Sequence, residues 1–189
     1  MAFRFERLRI PEVILVEGRA FEDSRGYFME TYKRSEFEKN GIPWEFVQDN
    51  RSRSSMGVLR GLHYQLDPKA QGKLVIVVRG GIYDVAVDIR RGSPTYGEWI
   101  SIELSEEDPH LLYIPVGFAH GFQALENGTD VIYKVTSEYA PEADRGICWN
   151  DPDLSIPWPI EHAILSEKDT GLPRLADAES RFPYESGHQ

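Results

Sequence analysis

Short runs of β-branched and aromatic residues recur along the chain, separated by Gly, Pro and Asn or Asp turn signals. The first clear run covers residues 13–16 and the last covers residues 133–136. Runs of this length and spacing are typical of an antiparallel sandwich or barrel. The pattern therefore predicts an all-β core.

Four further runs lie between these two. Residues 73–78 and 82–89 flank the glycine-bearing turn Arg79-Gly80-Gly81, an arrangement that predicts a β-hairpin. Residues 99–104 and 111–115 predict two more strands.

Helix is scarce in the pattern. The clearest case is residues 35–40, where Ser35 and Glu38 have capping-box spacing and Gly41 can end the turn. From Ala140 onward, prolines and acidic residues replace the alternation, which predicts turns and short helices wrapped on the barrel.

Length and composition narrow the class of protein. Residues 1–189 are expected to form a single domain, with a C-terminal tail at about residues 173–189. No apolar run approaches the roughly 18 residues of a membrane span, so a soluble, globular fold is expected. The N-terminus lacks the apolar stretch of a secretory signal, which predicts a cytoplasmic protein.

Charge and cysteine content exclude two further classes. The formal net charge of −10 repels a phosphate backbone, which argues against a nucleic-acid partner. Cys148 is the only cysteine, so neither an intrachain disulfide nor a thiolate metal cluster can form, and this residue is expected to be buried.

Candidate chemistry begins on residues 56–65, which read as a strand that carries Arg60 and His63 among apolar neighbours. Strict alternation would place these two side chains on opposite faces. A shared pocket therefore requires an irregularity, for which Gly61 is the natural bulge site. The alternative is a structural histidine, hydrogen-bonded at a barrel end.

Two more polar side chains fall on predicted strands. Lys73 begins a strand whose same face continues through two valines, so an inward lysine would have a lowered pKa or an anionic partner. Tyr133 shares a face with valines on both sides and is expected to point inward. The alternatives are an exposed lysine at a strand start and a core tyrosine with a satisfied hydroxyl.

Residues 114–122 form a Pro/Gly turn that leads into an aromatic strand with one histidine, His120, and resemble the second motif of cupins. No His-x-His accompanies His63, so the two lone histidines make an incomplete metal site and no metal is expected. Asp169 has an ordinary interpretation as the third residue of a helix capped by Ser166.

Five separated motifs occur in one order, and together they resemble those of the dTDP-4-dehydrorhamnose 3,5-epimerases. The motifs are residues 23–28, 46–50, 59–65, 117–122 and 149–152. Five motifs in one order are far more specific than any single motif, and the resemblance covers about residues 10 to 172. It implies a cupin-type antiparallel β-barrel or jelly roll with a few short helices.

The resemblance also implies a reaction. The enzyme would convert dTDP-4-dehydro-6-deoxy-D-glucose to dTDP-4-dehydro-L-rhamnose by inverting carbons 3 and 5 through an enolate, without a cofactor. His63 would be the base, Asp169 its orienting carboxylate and Tyr133 the acid on the opposite face. Lys73 would face the developing enolate oxygen.

The further ligand contacts that the resemblance implies are Arg25, Glu30, Gln48, Asn50, Arg60, Lys73, His120, Asp144 and Lys168. Arg25 would reach a neighbouring subunit through an exchanged N-terminal strand, which implies a homodimer. Arg51 or Arg53 would add positive charge near the diphosphate. At Asp144 the family commonly has glutamate, a departure that bears on this substrate contact.

Other functions stay open at this point. One is an epimerase that acts on a single carbon, or a ketoisomerase. Another is a non-catalytic cupin that binds a sugar nucleotide, and a third is a metal-dependent oxygenase. The choice of dTDP over UDP rests on the resemblance alone.

Overall fold

The computed structural model describes residues 2–184, and β-strands dominate it. The strands are β1 Phe3–Arg7, β2 Ile14–Gly18, β3 Ala20–Asp23, β4 Gly26–Met29, β5 Gln48–Ser54, β6 Leu59–Gln65, β7 Lys73–Arg79, β8 Gly81–Asp88, β9 Trp99–Ser105, β10 His110–Ile114, β11 Phe118–Ala124, β12 Thr129–Val135 and β13 Asp144–Gly146. The helical segments are α1 Arg34–Lys39, α2 Glu167–Thr170 and a 3₁₀ turn at Leu175–Asp177. The prediction of an all-β fold with a few short helices is confirmed.

Two antiparallel sheets face each other. One has the strand order β1-β2-β10-β7-β12-β5 and the other has the order β13-β6-β11-β8-β9, while β3 and β4 form a separate hairpin. The inner faces of the two large sheets share one apolar cluster, in which Val75 and Phe122 are buried. This shared core fixes the space in which polar side chains from both sheets meet.

The predicted hairpin between residues 73–78 and 82–89 is wrong. β7 pairs with β10 and β12 in the six-stranded sheet, whereas β8 pairs with β9 and β11 in the five-stranded sheet. The glycine turn carries the chain from one sheet to the other. Gly80 has a φ of +69°, and a Cβ there would lie 2.6 Å from Thr129 Oγ1. A tight glycine turn has the same sequence signature in both cases.

The outer faces of both sheets are covered as well. Helix α1 and the segments that flank it cover the six-stranded sheet through a cluster that includes Phe37 and Ile42. The C-terminal segment covers the five-stranded sheet through Leu154 and Trp158, as predicted for the region after Ala140. A sheet buried on both sides shows continuous apolar runs rather than alternation, as in β7.

Helix α1 begins at Arg34, and its N-cap residue Lys33 makes no side-chain capping bond. Ser35 lies inside the helix, so the predicted capping box with Glu38 is wrong. The fully buried side chain of Phe37 holds this short helix in place, because tertiary packing outweighs capping in a helix of six residues.

The irregularity predicted at Gly61 is confirmed. The register between β6 and β11 shifts between His120 and Phe122, and Gly61 has a φ of +127°. The strand is shorter than predicted, since residues 56–57 form a turn and β6 begins at Leu59.

Three smaller expectations have mixed outcomes. Cys148 is partly exposed and its Sγ lies 2.7 Å from Asn150 Oδ1, so its predicted burial is wrong. The predicted tail contains the 3₁₀ turn at Leu175–Asp177, and its residues 185–189 lie outside the described residues. No helix within residues 2–184 has the length and apolarity to cross a membrane.

Phe37→Ala should destabilise the protein by about 3–5 kcal/mol, because it removes a fully buried ring and leaves a cavity. The ring makes edge contacts with Phe3 and Tyr32, at centroid distances of 5.3 Å and 4.9 Å. Urea unfolding monitored by fluorescence measures the loss. The exposed control Lys39→Ala should change the unfolding free energy by less than about 1 kcal/mol. A similar small loss for Phe37→Ala would contradict its role as the anchor of α1.

Candidate active site

Two cavities lie between the sheets and share four residues. The Arg60 cavity has a volume of about 370 Å³, and its polar lining includes Arg60, His120 and Asp169. The Gln48 cavity has a volume of about 340 Å³, and its lining includes Gln48, Asn50, Tyr139 and Asp144. The residues that line both cavities are His63, Lys73, Tyr133 and Lys168.

The bulge decides which side chains of β6 reach the Arg60 cavity. His63 is the register partner of His120, and Arg60 is the partner of Phe122. The extra residue at Gly61 brings Arg60 and His63 to the wall of one cavity, although their spacing would otherwise separate them.

Asp169 holds the imidazole of His63. Its Oδ1 lies 2.6 Å from His63 Nε2, and the residue is only 3% exposed. The backbone N–H of Asp169 donates to Ser166 Oγ at 3.1 Å, so the predicted cap is confirmed and leaves the carboxylate free for the imidazole.

The charge state of Asp169 suits this contact. Burial raises the pKa of Asp169, but the hydrogen bonds and charge of His63 and the Ser166 cap outweigh it, so the pKa lies below its ordinary value. An ionised carboxylate accepts the Nε2–H of His63, which leaves Nδ1 as the basic nitrogen.

Lys73 points into the barrel, which is one of the two orientations that the strand pattern left open, and is 8% exposed. Its Nζ donates to the carbonyl oxygen of His63 at 3.0 Å. Burial lowers the pKa of Lys73 to about 8, and the charges of Asp144 and Asp84 oppose that shift. The ammonium therefore lies against the backbone of His63 and titrates near pH 8.

Tyr133 packs against the central apolar cluster from β12 and lines both cavities, as its inward prediction requires. Burial raises the pKa of its phenol, although the charge of Arg60 acts in the opposite direction. The hydroxyl keeps its proton at neutral pH and can donate it.

A second histidine is also paired with a carboxylate. His120 Nε2 lies 2.5 Å from Oδ1 of Asp84, a fully buried residue of β8. The other oxygen, Oδ2, has no hydrogen-bond partner among residues 2–184. Burial lowers the pKa of His120, and Asp84 opposes this shift. Asp84 was not predicted from the sequence, where its only signal is an acid inside an apolar run.

A polar network crosses the Gln48 cavity. Gln48 Nε2 donates to Asn50 Oδ1 at 2.8 Å, and Gln48 Oε1 accepts the backbone N–H of Tyr139 at 2.8 Å. Asp144 accepts the Tyr139 hydroxyl at 2.9 Å and pairs with Lys168. Four predicted contacts therefore lie together here. Tyr139 was not predicted, because it lies in a loop outside the five motifs.

The guanidinium of Arg60 is fixed by β5. It donates to Ser54 Oγ at 3.1 Å and to the carbonyl oxygen of Arg53 at 3.2 Å. Arg51 and Arg53 lie on the exposed side of β5 and pair with Asp130. They line neither cavity in the described part of the chain, and their guanidinium groups are held by Asp130.

Arg25 and Glu30 lie elsewhere. Arg25 follows β3 at the turn of the β3–β4 hairpin and pairs with Asp23 at 2.6 Å, and Glu30 follows β4. Neither lines the Arg60 or Gln48 cavity in the single chain described over residues 2–184. One subunit alone therefore does not bring these two predicted contacts to the site.

The donor set for a metal is sparse. His63 and His120 each direct Nε2 at a separate carboxylate. Within residues 2–184, no group of three or more His, Cys, Asp or Glu side chains is arranged to hold a metal ion.

Comparison with known sequences gives a consistent picture. A family profile described as dTDP-4-dehydrorhamnose 3,5-epimerase matches residues 7–177. A relative of that name from Pseudomonas aeruginosa is 54% identical over 179 residues, which cover 94% of this chain and 98% of the relative. Another, from Methanothermobacter thermautotrophicus, is 52% identical over 170 residues, covering 88% and 91% of the two chains.

Solved structures agree with the sequences. A dTDP-6-deoxy-D-glucose-3,5-epimerase from Legionella pneumophila, in complex with dTDP-4-keto-L-rhamnose, has a TM-score of 0.93 and 45% identity, covering 97% of this chain and 100% of that one. A 3'-monoepimerase from Streptomyces bikiniensis, in complex with dTDP-quinovose, has a TM-score of 0.85 and 34% identity, covering 89% and 86%. The cupin-type fold is thereby confirmed. With a profile match across most of its length and relatives near half identical to it, this chain belongs to the dTDP-4-dehydrorhamnose 3,5-epimerase family.

Proposed function

We propose that this protein inverts carbons 3 and 5 of dTDP-4-dehydro-6-deoxy-D-glucose and forms dTDP-4-dehydro-L-rhamnose. The observation that supports this most directly is the shared wall of the two cavities. His63, held by Asp169, lies there with the phenol of Tyr133 and the buried ammonium of Lys73. A base, an acid and a cation are the three groups that epimerisation beside a ketone requires.

The ketone at carbon 4 makes the protons on carbons 3 and 5 acidic. His63 removes one of these protons, and the electrons move onto the carbonyl oxygen as an enolate. The Tyr133 hydroxyl then gives its own proton to carbon from the other face, which leaves an imidazolium and a phenolate that exchange protons with solvent before the second carbon reacts. Because one proton is removed and another is supplied with no change in oxidation state, His63 and Tyr133 suffice for proton transfer.

The enolate is the species in this reaction that most requires stabilisation. Lys73 is buried, so its ammonium acts on the oxygen through a medium that screens it far less than water does. A well-placed donor at a developing oxyanion contributes roughly 10²–10³-fold, and positioned acid–base catalysis roughly 10²–10⁴-fold. Asp169 orients His63 and stabilises the imidazolium that forms.

The ligand is a dTDP-sugar, as in the Legionella pneumophila complex. The sugar occupies the wall shared by the two cavities, with Arg60 and His120 on one side of it. Gln48, Asn50, Asp144 and Lys168 form the remaining contacts from the Gln48 cavity. The Asp144 side chain is shorter than the glutamate that the family commonly has at this position. Its carboxylate still reaches Lys168 and orients the ammonium of that residue.

A homodimer completes the site. The β3–β4 hairpin joins neither large sheet and exposes Tyr27 and Phe28 at 66% and 68%. Exposed aromatic rings at one place mark an interaction surface. An exchange of N-terminal strands covers them and carries Arg25 and Glu30 to the cavities of the second copy.

The protein acts in the cytoplasm, where its lone, partly exposed thiol at Cys148 stays reduced. The described residues 2–184 form a single domain, a proposal supported by the one apolar cluster that the two large sheets share.

Inversion of one carbon only is the second candidate, because the Streptomyces bikiniensis 3'-monoepimerase has the same fold. The fold therefore does not decide how many carbons are inverted. The expected product carries deuterium at carbons 3 and 5 when the reaction with dTDP-4-keto-6-deoxyglucose runs in deuterated water. Proton NMR distinguishes this from label at one carbon, and the matching UDP substrate tests the choice of base.

His63→Ala should abolish solvent exchange at both carbons, a loss of at least about 10²-fold, because the base is gone. Tyr133→Phe should still exchange protons but return them poorly on the inverted face, so exchange exceeds epimerisation. Proton NMR measures both rates, with Tyr96→Phe as an exposed control that keeps both. Near-wild-type epimerisation by either variant removes that residue from the mechanism.

Lys73→Met should lower kcat by on the order of 10²-fold, because the enolate loses its cation. It should also raise the unfolding free energy at pH 7 by about 2 kcal/mol, because a buried ammonium is replaced by an apolar side chain. Between about pH 8 and pH 10 the unfolded wild type binds more protons than the folded form. The unfolding free energy of the wild type therefore increases as pH rises. The difference in unfolding free energy between Lys73→Met and the wild type narrows over the same range.

Chemical denaturation from pH 7 to pH 10 measures this effect. The exposed Lys39→Met control should show no difference that changes with pH. If Lys73→Met were less stable than the wild type at pH 7, the buried ammonium would be a net stabilising group.

The wild type should sediment at twice 21.6 kDa, and Phe28→Ser should shift it toward the monomer and raise KM. The ring is exposed within one subunit, so its loss costs the isolated fold little. Tyr96→Ser, at a ring that is 41% exposed elsewhere, is the matched control and should stay dimeric. A fully active wild-type monomer would disprove the exchange.

A further inference from the structure

A strap formed by residues 156–166 connects the outside of the five-stranded sheet to the active site. At its start, Trp158 packs on Tyr83 with a ring-centroid distance of 5.9 Å. At its end, Ile164 and Ser166 line the Arg60 cavity. The chain then enters α2, whose third residue is Asp169. The strap therefore carries the carboxylate to His63.

Gln123 fixes the middle of this strap. It lies on β11 next to Phe122, and because Phe122 faces the cavity, Gln123 points to the opposite face, under the strap. Its Nε2 donates to the carbonyl oxygen of Ile160 at 2.8 Å, and its Oε1 accepts the N–H of Ile160 at 2.9 Å. Two bonds to one peptide residue restrain both its position and its rotation.

The environment makes this contact strong. Gln123 is fully buried, so its amide has no water to replace a lost partner. The next anchor along the strap is different, since Ile164 exchanges backbone bonds of 2.9 Å with Gly57 and Leu59 but is itself 54% exposed. Exposed backbone bonds open more readily than buried ones. The buried glutamine is therefore the firmer of the two restraints.

We propose that Gln123 is a positioning residue for the His63–Asp169 pair, acting through the strap; this inference rests on the proposed epimerase function. Gln123 lines neither cavity in the described chain and touches neither member of the pair. Its effect is to hold Asp169 where the 2.6 Å contact with His63 forms. A displacement of about 1 Å in such a group costs on the order of 10²-fold in rate.

The experiment compares Gln123→Met with Gln65→Met. Methionine fills a similar volume but cannot make the two bonds. Gln65 is the control for the loss of a buried amide, because it is 3% exposed and clamps a loop through Lys69, Glu138 and Ala140. It lines the Gln48 cavity, so its rate can fall, but in the described chain it makes no hydrogen bond to the strap. Both variants leave backbone groups unsatisfied and should lose similar stability.

The readout is the pH profile of solvent exchange into dTDP-4-keto-6-deoxyglucose. Gln123→Met should lower kcat about 10-fold and move the acid limb to lower pH, because an imidazolium without a firmly held carboxylate loses its proton more readily. Gln65→Met should leave the acid limb in place, whatever its rate. Asp169→Asn should show the largest displacement in the same direction.

An acid limb of Gln123→Met at the wild-type position would overturn the proposal and leave Gln123 as a stabilising residue only. If Gln123→Met does not fold, Gln123→Asn keeps a neutral amide that is one methylene too short to reach Ile160, and its acid limb must move in the same direction for the proposal to stand. Absence of exchange in the wild type would instead overturn the proposed function, a distinct outcome.

Discussion

The backbones of β6 and β11 approach each other more closely than side chains would permit, and the site depends on this contact. A Cβ on Gly61 would lie 2.5 Å from Gly121 Cα, and a Cβ on Gly121 would lie 2.8 Å from the carbonyl oxygen of Arg60. The two glycines allow β6 to bulge, and the bulge turns Arg60 onto the wall that His63 occupies. Arg60 and His63 line the same cavity because Gly61 and Gly121 have no side chains, and not because the two groups attract each other.

The same buried interior that positions these groups also makes their presence unfavourable for the stability of the fold. Lys73 and Asp84 are almost completely buried, and Asp84 has one oxygen without a partner in the described chain. Charges removed from water destabilise a fold unless they are fully paired. The same dry surroundings strengthen the field of an ammonium at a forming oxyanion, so stability and activity oppose each other at Lys73.

Features that depend on short spacings were predictable from the sequence. The bulge at Gly61 and the cap of Asp169 each follow from a few neighbouring residues, whereas the strand pattern left the orientation of Lys73 open. The pairing of strands was not predictable from the sequence, because β7 and β8 are consecutive in the chain but lie in different sheets. Asp84 could not be recognised as a site residue from the sequence for a related reason, because only its contact with the distant His120 marks it as one.

The pairing of His63 with Asp169 joins residues 106 positions apart, and only the family resemblance suggested it. Arg25 raises a further difficulty. Its predicted place in the site involves a second copy of the chain, which no pattern within one sequence can locate.

The late position of the strap in the sequence has a consequence for the synthesis of the protein. Strands β1 to β13 all precede residues 156–166, so a ribosome makes every strand of the two large sheets before it makes Asp169. A domain generally folds as a unit, so the order of synthesis matters most when synthesis stops early. A chain that is interrupted between β13 and α2 contains His63 but lacks the carboxylate that holds its imidazole.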